Sequence, residues 1–305
     1  MSTVSIAVLT LRRPDEVIRC LESIARSLTV PLPEPWRLVE VLIVDNDPDG
    51  SARDVVMRPE ASHGLPSVRY VHEARGGVAP ARNRALDEAR GCTLVFIDDD
   101  EVADPGWPHG ILETMAQTGA AMVGGPVRTR FTVEPPGWIT DGRFFDRENP
   151  AHRSRSHWLR SGNVAIDLDQ IRSVDLRFDP KYRHGEDAAF SMQGAKNGLD
   201  LRWSAHGSVT EFVGPERLSM RWRMQRERIS HRAWATTTLD LQHSIPAAVK
   251  ILVRGVQLLL RGVIRVVGGV ATGRTHLTVA GLSDGAALVG RVEAVIDHVL
   301  SPRAS

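Results

Sequence analysis

Four carboxylates in succession, Asp98-Asp99-Asp100-Glu101, follow directly on the apolar run Leu94-Val95-Phe96-Ile97. Adjacent carboxylates repel one another, and folding alone does not require them. Hard oxygen ligands of this kind suit a divalent cation such as Mg2+ or Mn2+. The plain alternative is a solvated acidic turn. Two further polar residues stand at the ends of apolar runs: Thr10 near the end of Val4–Leu11, and Asp45 after Val39–Val44. Asp45 opens Asp-Asn-Asp-Pro-Asp-Gly, which is also good turn chemistry.

The elements that must position these groups follow from pattern. The three apolar runs read as strands buried on both faces. Between the first two, Val17, Ile18, Leu21, Ile24, Ala25 and Leu28 repeat at helical spacing behind Pro14, a proline tolerated in a first turn. Ser67–His72 is a weaker strand, and Pro80 begins a helix carrying Ala81, Ala85, Leu86 and Ala89. Pro105 begins another helix, and Ala120–Val123 is a short strand. Strand and helix alternate over about 125 residues, the pattern of a mostly parallel, Rossmann-like sheet flanked by helices. In such a sheet Thr10, Asp45 and Asp98 share the edge where ligands bind. This predicts a nucleotide or another phosphorylated ligand held with a metal. No glycine-rich loop follows the first strand, which argues against dinucleotides and P-loop chemistry.

The segment from Pro135 to about Ser156 reads as a long loop. Ser161–Ile166 returns to strand character, and Gly185-Glu186-Asp187 leads into a helix ended by Gly198. Leu201–Ser204 and Ser208–Val213 read as closing strands. With 305 residues and a net charge of +1, the chain has room for one large domain and an appendage, and no global field suited to nucleic acid. Cys20 and Cys92 are the two cysteines; they lack metal-ligand spacing and fit a reducing, cytoplasmic setting. Neither a signal peptide nor a membrane-spanning helix is expected.

Six short pieces, in order, carry a resemblance: the Thr10 strand end; Val44-Asp45-Asn46; Arg75-Gly76-Gly77 through Asn83; the acid run; Ser161-Gly162-Asn163; and Gly185-Glu186-Asp187. From Val4 to roughly Trp234 the chain resembles the family 2 glycosyltransferases, which bind nucleotide sugars with a GT-A fold. Its later part, including Glu211-Phe212-Val213-Gly214-Pro215-Glu216-Arg217, is most similar to the bacterial exopolysaccharide, succinoglycan-type branch. The resemblance implies inverting transfer of a sugar, most often from a UDP-linked donor, to a glycan or lipid-linked acceptor. It implies that Thr10 and Asp45 hold the base, and that Arg75 and Arg82 border base and ribose. Arg82 could equally be a helix-surface charge. Asp98 is expected on the ribose side with Asp99 beside it, and Asp100 on the metal. Asp187 would take the proton of the acceptor hydroxyl; acids that merely stabilise a helix start are the alternative. Gly162, Asn163 and Glu186 would shape the acceptor or sugar pocket. A further metal ligand would be Glu211 or His206. A sugar-phosphate nucleotidyltransferase and an inactive nucleotide- or glycan-binding module are the competing readings.

Beyond the catalytic region, residues 217–232 carry six arginines, placed near a diphosphate or lipid-linked acceptor by the resemblance, or simply solvated. Ser244-Ile245-Pro246 caps a helix expected to reach Gly268. In it Lys250, Arg254, Arg261 and Arg265 fall on one side of an otherwise Ile-, Leu- and Val-rich cylinder. That is the pattern of a peripheral helix lying in a membrane interface over residues 244–268, or of one packed on protein. A second helix is expected from Ser283-Asp284 to about Leu300. The expected division is a catalytic domain over 1–240 and a helical region over 241–305.

Overall fold

The computed structural model describes residues 2–242 and 244–300. His243 and residues 301–305 of the expected helical region lie outside them. Two compact units form, one from residues 1–130 and 147–212, the other from 131–146 and 213–305. The boundary expected at 240 falls inside the second unit.

The first unit alternates β1 (Ser2–Thr10), α1 (Pro14–Ser27), β2 (Trp36–Asp45), the single turn α2 (Arg53–Val56), β3 (Val68–His72), α3 (Val78–Glu88) and β4 (Thr93–Asp98). It continues through β5 (Glu101–Ala103), α4 (Trp107–Thr118), β6 (Met122–Gly124) and β7 (Val127–Phe131). After α5 (Gly137–Asp141), which belongs to the second unit, come β8 (Asn163–Asp167), α6 (Leu168–Ser173), α7 (Glu186–Lys196), β9 (Leu201–Trp203) and β10 (Val209–Val213). A seven-stranded sheet has the order β3-β2-β1-β4-β8-β6-β9, and a three-stranded sheet the order β5-β10-β7. The first four strands of the large sheet are parallel, whereas β8 runs antiparallel to both β4 and β6. Ser208–Val213, read as a closing strand, forms β10 and pairs with Glu101–Ala103 in the small sheet.

Both faces of the large sheet are covered, which is why its strands read as unbroken apolar runs. Val4, Ile6, Val8, Ile43 and Ile97 pack toward Leu21 and Ile24 of α1 and Trp107 and Ile111 of α4. Ala7, Leu42, Val44 and Phe96 face the other way, toward Ala81 and Ala85 of α3 and Phe190 of α7. Each fully buried side chain of this size stabilises the fold by about 1.5–3 kcal/mol.

The second unit contains α8 (Met220–Gln242), α9 (Ile245–Thr272) and α10 (Thr275–Leu300). Ser244 caps α9, its hydroxyl accepting from the Ala247 amide, and the helix ends at Gly273 with φ +68. The second helix begins at Thr275, not at Ser283: the Ser-Asp pair lies in its interior. Gly262 and Gly281 bring the backbones of α9 and α10 together, for a Cβ on Gly262 would stand 2.8 Å from the Gly281 carbonyl oxygen. Asp284 is buried between the helices and accepts from Arg261 (2.5 and 3.1 Å) and Arg265 (2.9 Å). Two of the four cations on α9 are therefore spent on packing. Arg228 and Arg232 of the arginine-rich segment likewise pair with Glu293 and Asp297 of α10. Among the described residues, no helix is long and apolar enough to cross a membrane.

Candidate active site

The parallel strands deliver Thr10, Asp45 and Asp98 to one edge of the large sheet. The antiparallel β8 delivers its opposite end there. Ile97 pairs with Asn163, so Gly162 lies against the acid run. A Cβ at Gly162 would stand 2.7 Å from Asp98 Oδ2 and 3.0 Å from Glu101 Oε1, so only glycine fits without moving a carboxylate. Asn163 is 2 % exposed and its side chain is fully committed. Its Oδ1 accepts from the Trp107 indole (2.7 Å), and its Nδ2 donates to the Pro126 and Gly207 carbonyls. It ties β8 to α4 and to the chain at Pro126 and Gly207.

The acids differ in setting. Asp98 is 43 % exposed toward the cleft. Loss of surrounding water pushes its carboxyl up to about 7, opposed by Arg82 and reinforced by Asp100, Asp99 and Asp187. Glu101 is buried; burial first, then Asp98 and Asp100, push it well above the usual range. Asp99 is also raised by burial, although Arg13 and the Thr10 hydroxyl favour its anion. Thr10 Oγ1 donates to Asp99 Oδ2 at 2.9 Å. Arg13 Nη1 donates to both Asp99 Oδ1 (3.1 Å) and Asp100 Oδ2 (3.2 Å).

The second acidic piece meets the first through Arg82. Far from lying on a helix surface, Arg82 is buried, pairs with Glu186, and holds Nη2 4.0 Å from Asp98 Oδ1. Its guanidinium stacks over Phe178, 5.6 Å from the ring centroid. Asn83 holds the intervening chain by two hydrogen bonds to the backbone of Phe178. Gly185 takes φ +75 and turns that chain into α7, so Glu186 points inward. Asp187 is half-buried; its Oδ1 accepts from the Ala188 amide at 2.7 Å, which leaves Oδ2 for other partners. Asp187 and Ser161 line one small cavity walled by Phe178 and Phe190.

The remaining expected residues are placed as follows. Asp45 is fully buried and accepts from the Asp47 and Ala52 amides and the Tyr70 hydroxyl. It organises the turn after β2, which explains the turn-like sequence there. Asn46 donates to the Glu73 and Arg75 carbonyls, tying that turn to the loop that carries Arg75. Arg75 is exposed and doubly bonded to Glu73. Glu211 lies opposite Glu101 across β5 and β10, a like-charge register that is unfavourable unless compensated. Arg147, from the long loop, pairs with Glu211 and supplies compensation. His206 packs against His152, ring centroids 4.7 Å apart. Arg13 and Arg147 were not singled out by sequence reasoning. An arginine in a turn or a long loop carries no local signal of the carboxylate it will meet.

Among the described residues, no three His, Cys, Asp or Glu side chains surround a common point that would hold a metal. The donor set still fits a hard cation of the Mg2+ or Mn2+ type. Such ions keep several waters and take one or two carboxylates, the rest coming from substrate oxygens. Asp100 already has a cationic group, the Arg13 guanidinium, on its Oδ2. Asp100, with Glu211 bordering the same acids, could hold the ion.

The family model described as "Glycosyl transferase family 2" matches residues 5–167. The chain is 32 % identical over 263 residues to succinoglycan biosynthesis protein ExoM of Rhizobium meliloti (strain 1021), covering 83 % of this chain and 80 % of that one. Among solved structures, it resembles the mannosyltransferase PcManGT from Pyrobaculum calidifontis, in complex with GDP-Man and Mn2+. That match has a TM-score of 0.62 and 18 % identity, over 97 % of this chain and 87 % of the other. It also resembles GalNAc-T7 with UDP, GalNAc and Mn2+, with a TM-score of 0.54 and 14 % identity, over 77 % and 50 % of the two chains.

Proposed function

Since this chain belongs to glycosyl transferase family 2 and is a glycosyltransferase, we propose that it moves a sugar, with inversion, from a nucleoside-diphosphate donor to a hydroxyl of a glycan or lipid-linked saccharide. The setting proposed is cell-surface or exopolysaccharide synthesis, a reading supported by the succinoglycan biosynthesis named for its R. meliloti relative. The competing nucleotidyltransferase reading falls with the family assignment. One observation carries the mechanism: buried Arg82 joins Glu186, the residue beside Asp187 at the start of α7, to Asp98 of the acid run.

In this reading Asp98 and Asp99 face the nucleoside, Thr10 fixes Asp99, and Asp100 would hold Mg2+ or Mn2+, which would supply charge neutralisation for the diphosphate leaving group. Asp187 accepts the acceptor hydroxyl's proton on its free carboxylate oxygen as that hydroxyl attacks the anomeric carbon. Arg82 keeps Glu186 and Asp98 apart in charge while joining them in space. Gly162 leaves room beside them for the sugar. A UDP-linked donor is the first choice and a GDP-linked donor the second, the two nucleotides present with the structural neighbours.

Asp187→Asn and Asp100→Ala test the assignment. Transfer from UDP- and GDP-sugars, with Mn2+ and with Mg2+, should fall about 10²–10⁴-fold in the first, the range for a lost general base. Nucleotide binding should survive in Asp187→Asn and weaken in Asp100→Ala. Unchanged turnover in Asp187→Asn removes the base from the scheme.

The acceptor reading extends to the membrane. We propose peripheral contact with the inner face of the cytoplasmic membrane through residues 244–268. On α9 Ile245, Val249, Val256, Leu260, Val263 and Ile264 are all more than half exposed. Lys250 and Arg254 lie exposed along the flank of that apolar face, the charge complement of anionic lipid.

A further inference from the structure

We propose that Arg13 is the exchangeable counter-cation of the acid run, so that metal binding replaces a guanidinium with a dication. The inference rests on the reading of Asp100 as the metal carboxylate. A single nitrogen of Arg13 bridges Asp99 and Asp100. Four consecutive carboxylates without a cation would repel one another across a partly dry cleft. Arg13 relieves that repulsion when no metal is present. A dication on Asp100 Oδ2 and a guanidinium donating to the same oxygen would repel in turn, so the two are alternatives.

The surroundings suit a group that leaves. Arg13 stands in the turn between β1 and α1, at the N-cap position, with non-helical backbone and no capping bond from its side chain. Its side chain is 45 % exposed, so its ion pairs are weakened by solvent and it regains hydration on swinging into water. Arg82, a second cation near the acids, is 7 % exposed and committed to Glu186, so it stays. Thr10 also stays, keeping Asp99 fixed through its hydroxyl when Arg13 departs. Asp100 thereby loses the guanidinium that donates to its Oδ2. The consequence is regulatory: the resident arginine keeps metal affinity low in the free enzyme and ties metal entry to arrival of the donor diphosphate, whose oxygens complete the ion's shell.

Mn2+ binding to the full chain, followed by loss of the free-ion electron paramagnetic resonance signal without nucleotide, tests this without reference to activity. Arg13→Gln and Arg13→Met should each bind Mn2+ about fivefold tighter than the wild type, the scale of one partly exposed ion pair removed. Arg13→Lys, which keeps a cation, should bind like the wild type. Equal or weaker binding in both neutral variants, or no binding by any of the proteins, overturns the exchange. Repeating the titration with UDP separates this from the parent reading. Binding lost only in Asp100→Ala leaves Asp100 as ligand even if Arg13 plays no part. Absence of binding by the wild type with UDP removes the metal assignment itself.

Discussion

Gly162 shows how a residue without a side chain can fix a site. Its α-carbon faces Asp98 and Glu101 so closely that a methyl group would enter the van der Waals shell of both carboxylates. Glu101 is buried and its Oε2 accepts from the Asp98 amide at 3.3 Å, so it cannot retreat far. Asp98 can move, but only toward the space proposed for the donor. Gly162→Ala should therefore lower kcat/KM about 10²-fold, the scale of a 1 Å misplacement of reacting groups, while Tm changes little. An alanine enzyme with wild-type kcat/KM would show that the carboxylates tolerate displacement. Asn163, one residue on, should behave oppositely. Its amide satisfies three elements of the fold, and its loss leaves the Trp107 indole and two carbonyls unpaired in the interior.

At the scale of elements, apolar runs and helical repeats identify most of the first unit because strands buried on both faces and amphipathic helices write distinct periods. The acid run was legible for the same reason, since its position at a strand end follows from the run before it. What local pattern could not reveal is direction. Ser161–Ile166 looks the same parallel or antiparallel, yet only the antiparallel course sets Gly162 against Asp98. The fate of Arg82, buried between two acids instead of solvated, depends on contacts 104 residues apart in sequence. The start of α10 was misplaced because Ser-Asp is a good cap, whereas here Asp284 serves as the interior anchor of Arg261 and Arg265. That pairing changes the reading of α9. Its cationic side is half consumed by α10, and what remains outward is chiefly apolar. Wild-type protein should partition to anionic vesicles, and Leu260→Glu with Ile264→Glu should reduce that partition about tenfold or more, since buried apolar area drives such binding. Unaltered partition of the double variant would assign the face to a protein partner instead.

At the scale of the whole molecule, the acids of the cleft set the pH response of folding. The carboxyl of Asp98 is pushed up to about 7, and those of Asp99 and Glu101 are also raised by burial. In the native state these groups hold protons that the unfolded chain has already released above about pH 4. A raised acid therefore stabilises most below its unfolded pKa, and the contribution is lost as pH rises through the folded value. Glu40, Glu73 and Glu227 act with the opposite sign. Arg69, Arg75 and His231 favour their anions and hold them below the usual glutamate range, so their contribution disappears as pH falls. His152, lowered by burial and by His206, gains stability for the fold as pH rises, but from the surface. The two acid sets together place maximal stability of the metal-free protein near pH 5, with a decline toward pH 7.5. A divalent ion replaces the protons on the acid run and should reverse that decline. In thermal unfolding of chelator-treated protein, Tm should fall by a few degrees between pH 5 and 7.5, and Mn2+ should raise Tm more at 7.5 than at 5. Asp98→Asn carries no titrating group at that position, so its metal-free Tm should depend less on pH over the same window. A metal-free Tm that climbs steadily to pH 7.5, in wild type and variant alike, would mean that the cleft carboxylates ionise freely without a cation.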